Sequence, residues 1–366
     1  NVTGAVTDWA TAPQNDAYYE GSAGCNGLDT ACGAKTGQLL QATLQAHDAA
    51  VNFGLYDNDG PDGLPNSGDD DGYVDFVAFV HPEIGGECGN NNLWSHRWTL
   101  TGWGIPSYTT NDARAGGGGI RVLDYVLQPA RGCGGGMIEI GVFCHEFGHA
   151  FGLPDFYDTD GSSEGAGEWE IMASGSYGGD GNQPEKPAHM SAWSKAFLGW
   201  LTPTTIASSQ NGVAVPRAET SAFALKIPFA PPVTTLEYFL VENRQKTGFD
   251  ASLQTGGLLI WHVDDGKKTL IGPNTVNNTE CVDNPGACGS AHYLLALEQA
   301  DGQFDLENNV NRSDAGDPWR AGFATTFSPA SLPWSRNYAN TANSWPTLSG
   351  ISASGANMTL NVALPS

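Results

Sequence analysis

The spacing of apolar and polar positions divides the chain into two textures. From Thr36 to Phe53 apolar residues recur three and four apart, which predicts a helix over 36–52. Short apolar runs at Asp75–His81, Leu93–Trp98 and Val122–Leu127 predict strands. A mostly apolar stretch over 136–151 predicts a buried helix. Another is predicted over 188–199, ending at Gly199 with Pro203 beyond. After Leu201 helical spacing disappears. Ala222–Ile227, Tyr238–Glu242, Leu258–Val263 and Met358–Val362 then read as strands between Gly, Pro, Asn and Ser turns. The expected class is α+β, with one domain over 1–200 and a β-rich domain over 201–366.

The second predicted helix carries His145-Glu146-Phe147-Gly148-His149, followed by Gly152 and Asp155. Residues four apart on a helix share a face, so both imidazoles can reach one metal ion. Gly152 permits a sharp turn, after which Asp155 can return as a third ligand. Three protein ligands leave a tetrahedral zinc one open position, as catalytic sites require. Glu146 stands beside the ligands and is the expected general base. Met172, in Trp169–Ser176, is placed to form an apolar floor under the metal. The bland alternative is two solvated histidines on an amphipathic helix. The glycine and aspartate at these spacings, and the apolar run before His145, argue against it. Tyr177, just past the Met172 turn, is a candidate donor to a developing oxyanion, with packing as the competing role.

Charge narrows the partners. Of 366 residues, 16 are Lys or Arg and 40 are Asp or Glu, a net charge of −24 that disfavours nucleic acid and anionic membranes. No apolar stretch approaches the ~20 residues of a membrane span. No leader begins at Asn1, so a secreted form is expected to be processed. The acid is concentrated: Asp57, Asp59, Asp62, Asp69, Asp70, Asp71 and Asp75 follow one another without a Lys or Arg between them. Alternating carboxylates in Gly-containing turns suit calcium, and Asp57, Asp59, Asp62, Asp69, Asp71 and Asp75 are the expected ligands. Weaker acidic stretches lie at Asp158, Asp160 and Glu164, and at Asp301, Asp305, Asp314 and Asp317; there surface loops compete evenly with calcium sites. Cys25 with Cys32, and Cys281 with Cys288, are close enough for small disulfide loops; Cys88 and Cys133 are a further candidate pair. Cys144 is left over and reads as an inert buried thiol. This usage favours an oxidising compartment.

An ordered set of segments resembles the secreted zinc peptidases related to immune inhibitor A. It comprises Tyr56–Gly60, Leu93–Trp98, His145–Tyr157, Met172–Gly175, Ser194–Trp200, Glu237–Gln245 and Gly256–His262. The resemblance implies a zincin-like catalytic domain, a mixed sheet with a zinc-binding helix, in a secreted endopeptidase made with a propeptide. It also implies zinc, structural calcium, and protein or peptide substrates. The stretch Pro61–Asp70 looks like an insertion in the family's aspartate loop. Two readings compete with this one. A calcium-dependent adhesin or glycan-binding protein on a degenerate protease core would suit the abundant Trp, Asn and Gly, but would not need Glu146. A short peptidase type with the same zinc motif would lack the β-rich region. By the resemblance, the Trp261-His262 segment is expected beside the metal cleft, and His262 and His96, in segments the resemblance singles out, are further candidate oxyanion donors, each with packing as the competing role.

Overall fold

The computed structural model describes residues 4–230, 233, 235–269, 275–279, 281, 288, 290–341 and 345–365. Asn1 and most of the Cys281–Cys288 loop therefore lie outside the described residues. The chain packs as two compact units, 1–139 and 140–366. This division falls earlier than the change of texture near residue 200.

The first unit begins with the short helix α1 (Asp16–Glu20), capped by the Asn15 side chain, and α2 (Thr36–His47). Helix α2 stops short of the predicted residue 52. The Asp48 carboxylate just past its end accepts hydrogen bonds from the Tyr108 hydroxyl (3.0 Å) and Asn111 N–H (3.0 Å), which turns the chain away. The strands are β1 (Ala78–Ile84), β2 (His96–Thr99), β3 (Tyr108–Ala113), β4 (Gly119–Val122) and β5 (Asp124–Arg131). Strand β5 pairs with β1 in parallel and with β2 antiparallel, making a mixed three-stranded sheet, while β3 and β4 form a separate pair. Leu40 and Leu44 of α2 pack with Tyr19, Phe79, Leu100, Ile120 and Leu127 in one core. Cys25–Cys32 and Cys88–Cys133 are disulfides within this unit.

The second unit opens with α3 (Ile140–Ala150), followed by α4 (Ala192–Phe197), whose N-cap is Ser191. Its strands are β6 (Thr204–Thr205), β7 (Gln210–Pro216), β8 (Leu225–Pro228), β9 (Glu237–Arg244), β10 (Gly257–Asp264), β11 (Leu295–Leu297), β12 (Thr347–Ser349) and β13 (Asn357–Ala363). Among the described residues they form a five-stranded sheet, β11-β10-β9-β8-β6, and a three-stranded sheet, β12-β13-β7. Alternate side chains of a strand point to opposite faces. Tyr238, Leu240, Leu259, Trp261 and Val263 accordingly bury against Leu153, Phe156, Trp169, Met172 and Trp193. Phe239, Val241, Leu258 and Ile260 bury on the other face, against Val215, Phe327, Met358 and Leu360. The central strands are covered on both sides, which is why they read as continuous apolar runs. Residues 140–200 thus share a core with the strand-rich region.

Polar side chains of β9 reinforce this packing. Arg244 is fully buried and forms a bidentate pair with Asp250 at 2.6 and 2.7 Å. Its third nitrogen donates to the Trp169 carbonyl at 3.1 Å. Glu242 accepts from the Trp261 indole N–H (2.9 Å) and from Ala192 N–H (3.2 Å), tying α4 to the sheet. Cys281–Cys288 is the third disulfide, and Cys144 is a free, half-buried thiol whose pKa burial pushes up. No described helix is long and apolar enough to cross a membrane.

Candidate metal centre

Helix α3 begins at Ile140, later than residue 136, because residues 131–137 make a hairpin closed by the Arg131–Met137 bridge. It ends in a left-handed glycine. Gly152 has φ of +92°, its N–H donates to the His149 carbonyl (2.9 Å), and Leu153 N–H donates to the Gly148 carbonyl (3.0 Å). These are the two bonds of a Schellman termination, which reverses the chain and returns Asp155 towards the helix. Gly148 has a different task. A Cβ there would lie 2.2 Å from the Met172 sulfur, so the missing side chain lets the Met172 turn press against the helix. That turn is anchored by the buried Glu170, whose carboxylate accepts from Met172 N–H (3.2 Å), the Ser194 hydroxyl (3.3 Å) and Ser191 N–H.

The His145 and His149 Nε2 atoms each lie 3.0 Å from Asp155 Oδ1, and the three ligand atoms could hold one metal ion. The opposite ring nitrogens are committed. His145 Nδ1 bonds to the Ile171 carbonyl and His149 Nδ1 to the Leu153 carbonyl, both at 2.8 Å. A carbonyl only accepts, so both Nδ1 atoms carry protons, which leaves Nε2 of each ring as the atom that would bind a metal in place of a proton. Two imidazoles and one carboxylate fit zinc, a borderline-soft ion. Without metal, burial opposes the charged form of His145, but the hydrogen bond and charge of Asp155 outweigh it and raise its pKa to about 9.

Glu146 is buried next to His145, and its charge acts on both His145 and Tyr157. Tyr157 was not among the candidates. Its ring stacks on His145, with centroids 6.1 Å apart, and its hydroxyl hydrogen-bonds to Asp155. Its position two residues after a proposed ligand was the available signal. Met172 lies fully buried below α3. Tyr177 ends a 3-10 turn (Ser174–Tyr177), half-buried, with its carbonyl accepting from Gln183 N–H at 2.8 Å.

Residues 1–201 match the catalytic domain of the immune inhibitor A peptidase M6 family. The chain belongs to that family. It is 32% identical over 213 residues to the pre-pro-metalloprotease PrtV of Vibrio cholerae serotype O1 (strain M66-2), covering 54% of this chain and 22% of that protein. It is 32% identical over 196 residues to immune inhibitor A of Bacillus thuringiensis subsp. alesti, covering 49% of this chain and 27% of that protein. The chain thus matches roughly a quarter of the length of these relatives.

The remaining candidates in this M6 chain, His262 and His96, have both ring nitrogens engaged. His262 is 2% exposed, on the sheet face opposite Trp261, packed against Phe229, Phe239 and Tyr338. Its nitrogens bond to Glu237 and Glu298, each at 3.0 Å. The segment does approach the metal centre's supporting core, but through Trp261; His262 is not brought to the site. His96 belongs to the first unit, bonded to the Trp94 carbonyl (2.7 Å) and the Tyr125 hydroxyl (2.9 Å), and burial lowers its pKa to about 4.

In the aspartate loop, carboxylate oxygens of Asp57, Asp59 and Asp70 come together. Asp70, which was not among the expected ligands, is in this group, whereas Asp62, Asp69, Asp71 and Asp75 are not. It accepts from Gly60 N–H (2.7 Å) and Ser67 N–H (2.6 Å). Asp57 is fully buried, and its Oδ2 has no hydrogen-bond partner among the described residues. The Asp62 carboxylate accepts from Leu64 N–H (2.8 Å), Asp69 from Asp62 N–H (3.2 Å), Asp71 from Tyr73 N–H (2.8 Å), and Asp75 from both Asn58 nitrogens (3.2 and 2.6 Å). These four carboxylates hold the loop's own turns.

Proposed function

We propose that this chain is the catalytic part of a secreted, zinc-dependent endopeptidase that hydrolyses peptide bonds in protein substrates. The observation that carries the reading is the convergence of His145, His149 and Asp155, with both Nδ1 atoms tied to carbonyls, beside the buried Glu146. Zinc, when bound, supplies a Lewis acid that polarises a carbonyl and makes water acidic enough to act near neutral pH. Glu146 takes the proton of the attacking water and returns it to the leaving amine. Asp155 and the two histidines hold the metal, the Ile171 and Leu153 carbonyls fix the rings, and the Tyr157 hydroxyl orients Asp155. Tyr177 is the proposed donor to the oxyanion, because His96 and His262 have both ring nitrogens already bonded. The zincin-like arrangement belongs to the same proposal. A glycan-binding role on a degenerate core is disfavoured by the retained Glu146.

Secretion is supported by three disulfides and by the family's secreted members. A propeptide is proposed because the Vibrio cholerae relative is called a pre-pro-metalloprotease. We further propose that Asp57, Asp59 and Asp70 bind calcium. The buried Asp57 oxygen needs a partner, and calcium would lend stability rather than chemistry. Hydrolysis of a denatured protein should stop with a zinc-selective chelator and return with added zinc. Activity untouched by exhaustive chelation would refute the zinc reading. A calcium-selective chelator should lower the melting midpoint, and an unchanged midpoint would refute the calcium reading.

A further inference from the structure

A second acidic cluster lies in the first unit, away from the aspartate loop in sequence. Asp16 and Glu20 are four apart on α1 and share a helix face, and Glu83 comes from β1. One carboxylate oxygen from each lies within 4.8 Å of the other two. Glu20 is only 4% exposed, and its Oε1 accepts no hydrogen bond from any described residue. No described Lys, Arg or His pairs with the three carboxylates; Lys35 instead sits over the Tyr18 ring, 3.8 Å from its centroid. Three like charges at this spacing, one withdrawn from water, need either protons or a cation between them.

We propose that Asp16, Glu20 and Glu83 form a divalent-cation site that takes calcium and pins α1 to β1. The donor set is all carboxylate oxygen, the hard ligand calcium selects. Asp16 is exposed, so the site has an open side where water can complete the coordination shell. Asp16 and Glu83 share a hydrogen bond, which requires one of them to carry a proton when no cation is bound. Calcium would displace that proton and give the buried Glu20 oxygen its missing partner. The site shares no residue with the zinc centre or with the Asp57, Asp59 and Asp70 group.

The test is calcium stoichiometry by titration calorimetry on the full chain, freed of divalent ions and carrying Glu146→Gln to prevent self-digestion. Glu20→Gln and Asp16→Asn should each bind one calcium fewer than this parent, or bind that ion at least about tenfold more weakly. Asp16→Asn changes an exposed side chain, so it reports even where Glu20→Gln does not fold. Asp57→Asn should leave this ion in place. Full stoichiometry with parental affinity in Asp16→Asn would mean that shared protons alone hold the cluster, and would overturn the proposal. Loss of no ion in Asp57→Asn would count against the loop reading only.

Discussion

His145 and His262 look alike electrostatically and are wired differently. Both are buried, both lie beside carboxylates, and in both the carboxylates outweigh burial and raise the pKa to about 9. His145 spends one nitrogen on the Ile171 carbonyl and directs the other to Asp155 Oδ1, the same oxygen that His149 Nε2 approaches. His262 spends both, on Glu237 and Glu298, and its ring stacks on Tyr338 with centroids 3.9 Å apart and planes 5° apart. An imidazole bonded to two carboxylates holds both protons and has no lone pair for a metal or a substrate proton. A raised pKa therefore does not mark a site. The atoms to which each ring nitrogen is committed do.

The account predicts a graded series of effects on turnover. Glu146→Gln should fold and keep its zinc but lose ~10² to 10⁴ in kcat; a variant with near-normal kcat would mean another group activates water. Tyr177→Phe should cost ~10² to 10³ in kcat at saturating zinc, as the loss of an oxyanion donor does. Tyr157→Phe should weaken zinc binding by about 10- to 100-fold, because the hydroxyl acts through Asp155. Its kcat at saturating zinc should be normal; a fall there would make Tyr157 the oxyanion donor instead.

His262→Gln should leave kcat/KM of the folded protein unchanged. Its effect is on stability, a loss of about 3–5 kcal/mol from leaving Glu237 and Glu298 without their cation. The sign with pH follows from a folded pKa raised to about 9 against an ordinary value of 6.5. The charged pair stabilises fully below about pH 6.5, and its contribution fades as pH rises through 9. In denaturant unfolding, the gap between wild type and His262→Gln should therefore narrow at alkaline pH. A constant gap, or a catalytic defect in the folded variant, would break the contrast with His145.

The two regions also differ in how legible they were. His145, Glu146, His149, Gly152 and Asp155 are close in sequence, and a helix with a Schellman end is enough to bring them together. The Met172 turn was legible for a similar reason, although its closeness depends on Gly148. His262 depended on which face of β10 it occupies. Alternation offered the signal: if Trp261 packs on the metal side, its neighbour faces away. Tyr157 and Asp70 were not among the candidates because a turn that no periodicity encodes places each beside its neighbours. Strand β1 starts at Ala78 rather than Asp75 because Asp75 holds Asn58, and the Val122–Leu127 run spans β4 and β5 with Leu123 between them. The change of texture near residue 200 tracked secondary structure. The packing division followed the long-range burial of Trp169, Met172 and Trp193 against β9 and β10, which composition does not reveal.

The most direct test of the metal centre is the zinc content of purified Asp155→Ala, measured on the same sample as its peptidase turnover. The geometry predicts that zinc falls far below one ion per chain at wild-type zinc concentration and that turnover falls with it, while the protein stays folded. One tightly bound zinc per chain with wild-type turnover would contradict the assignment of Asp155 as the third ligand, and with it the central claim that these three side chains form the catalytic metal site.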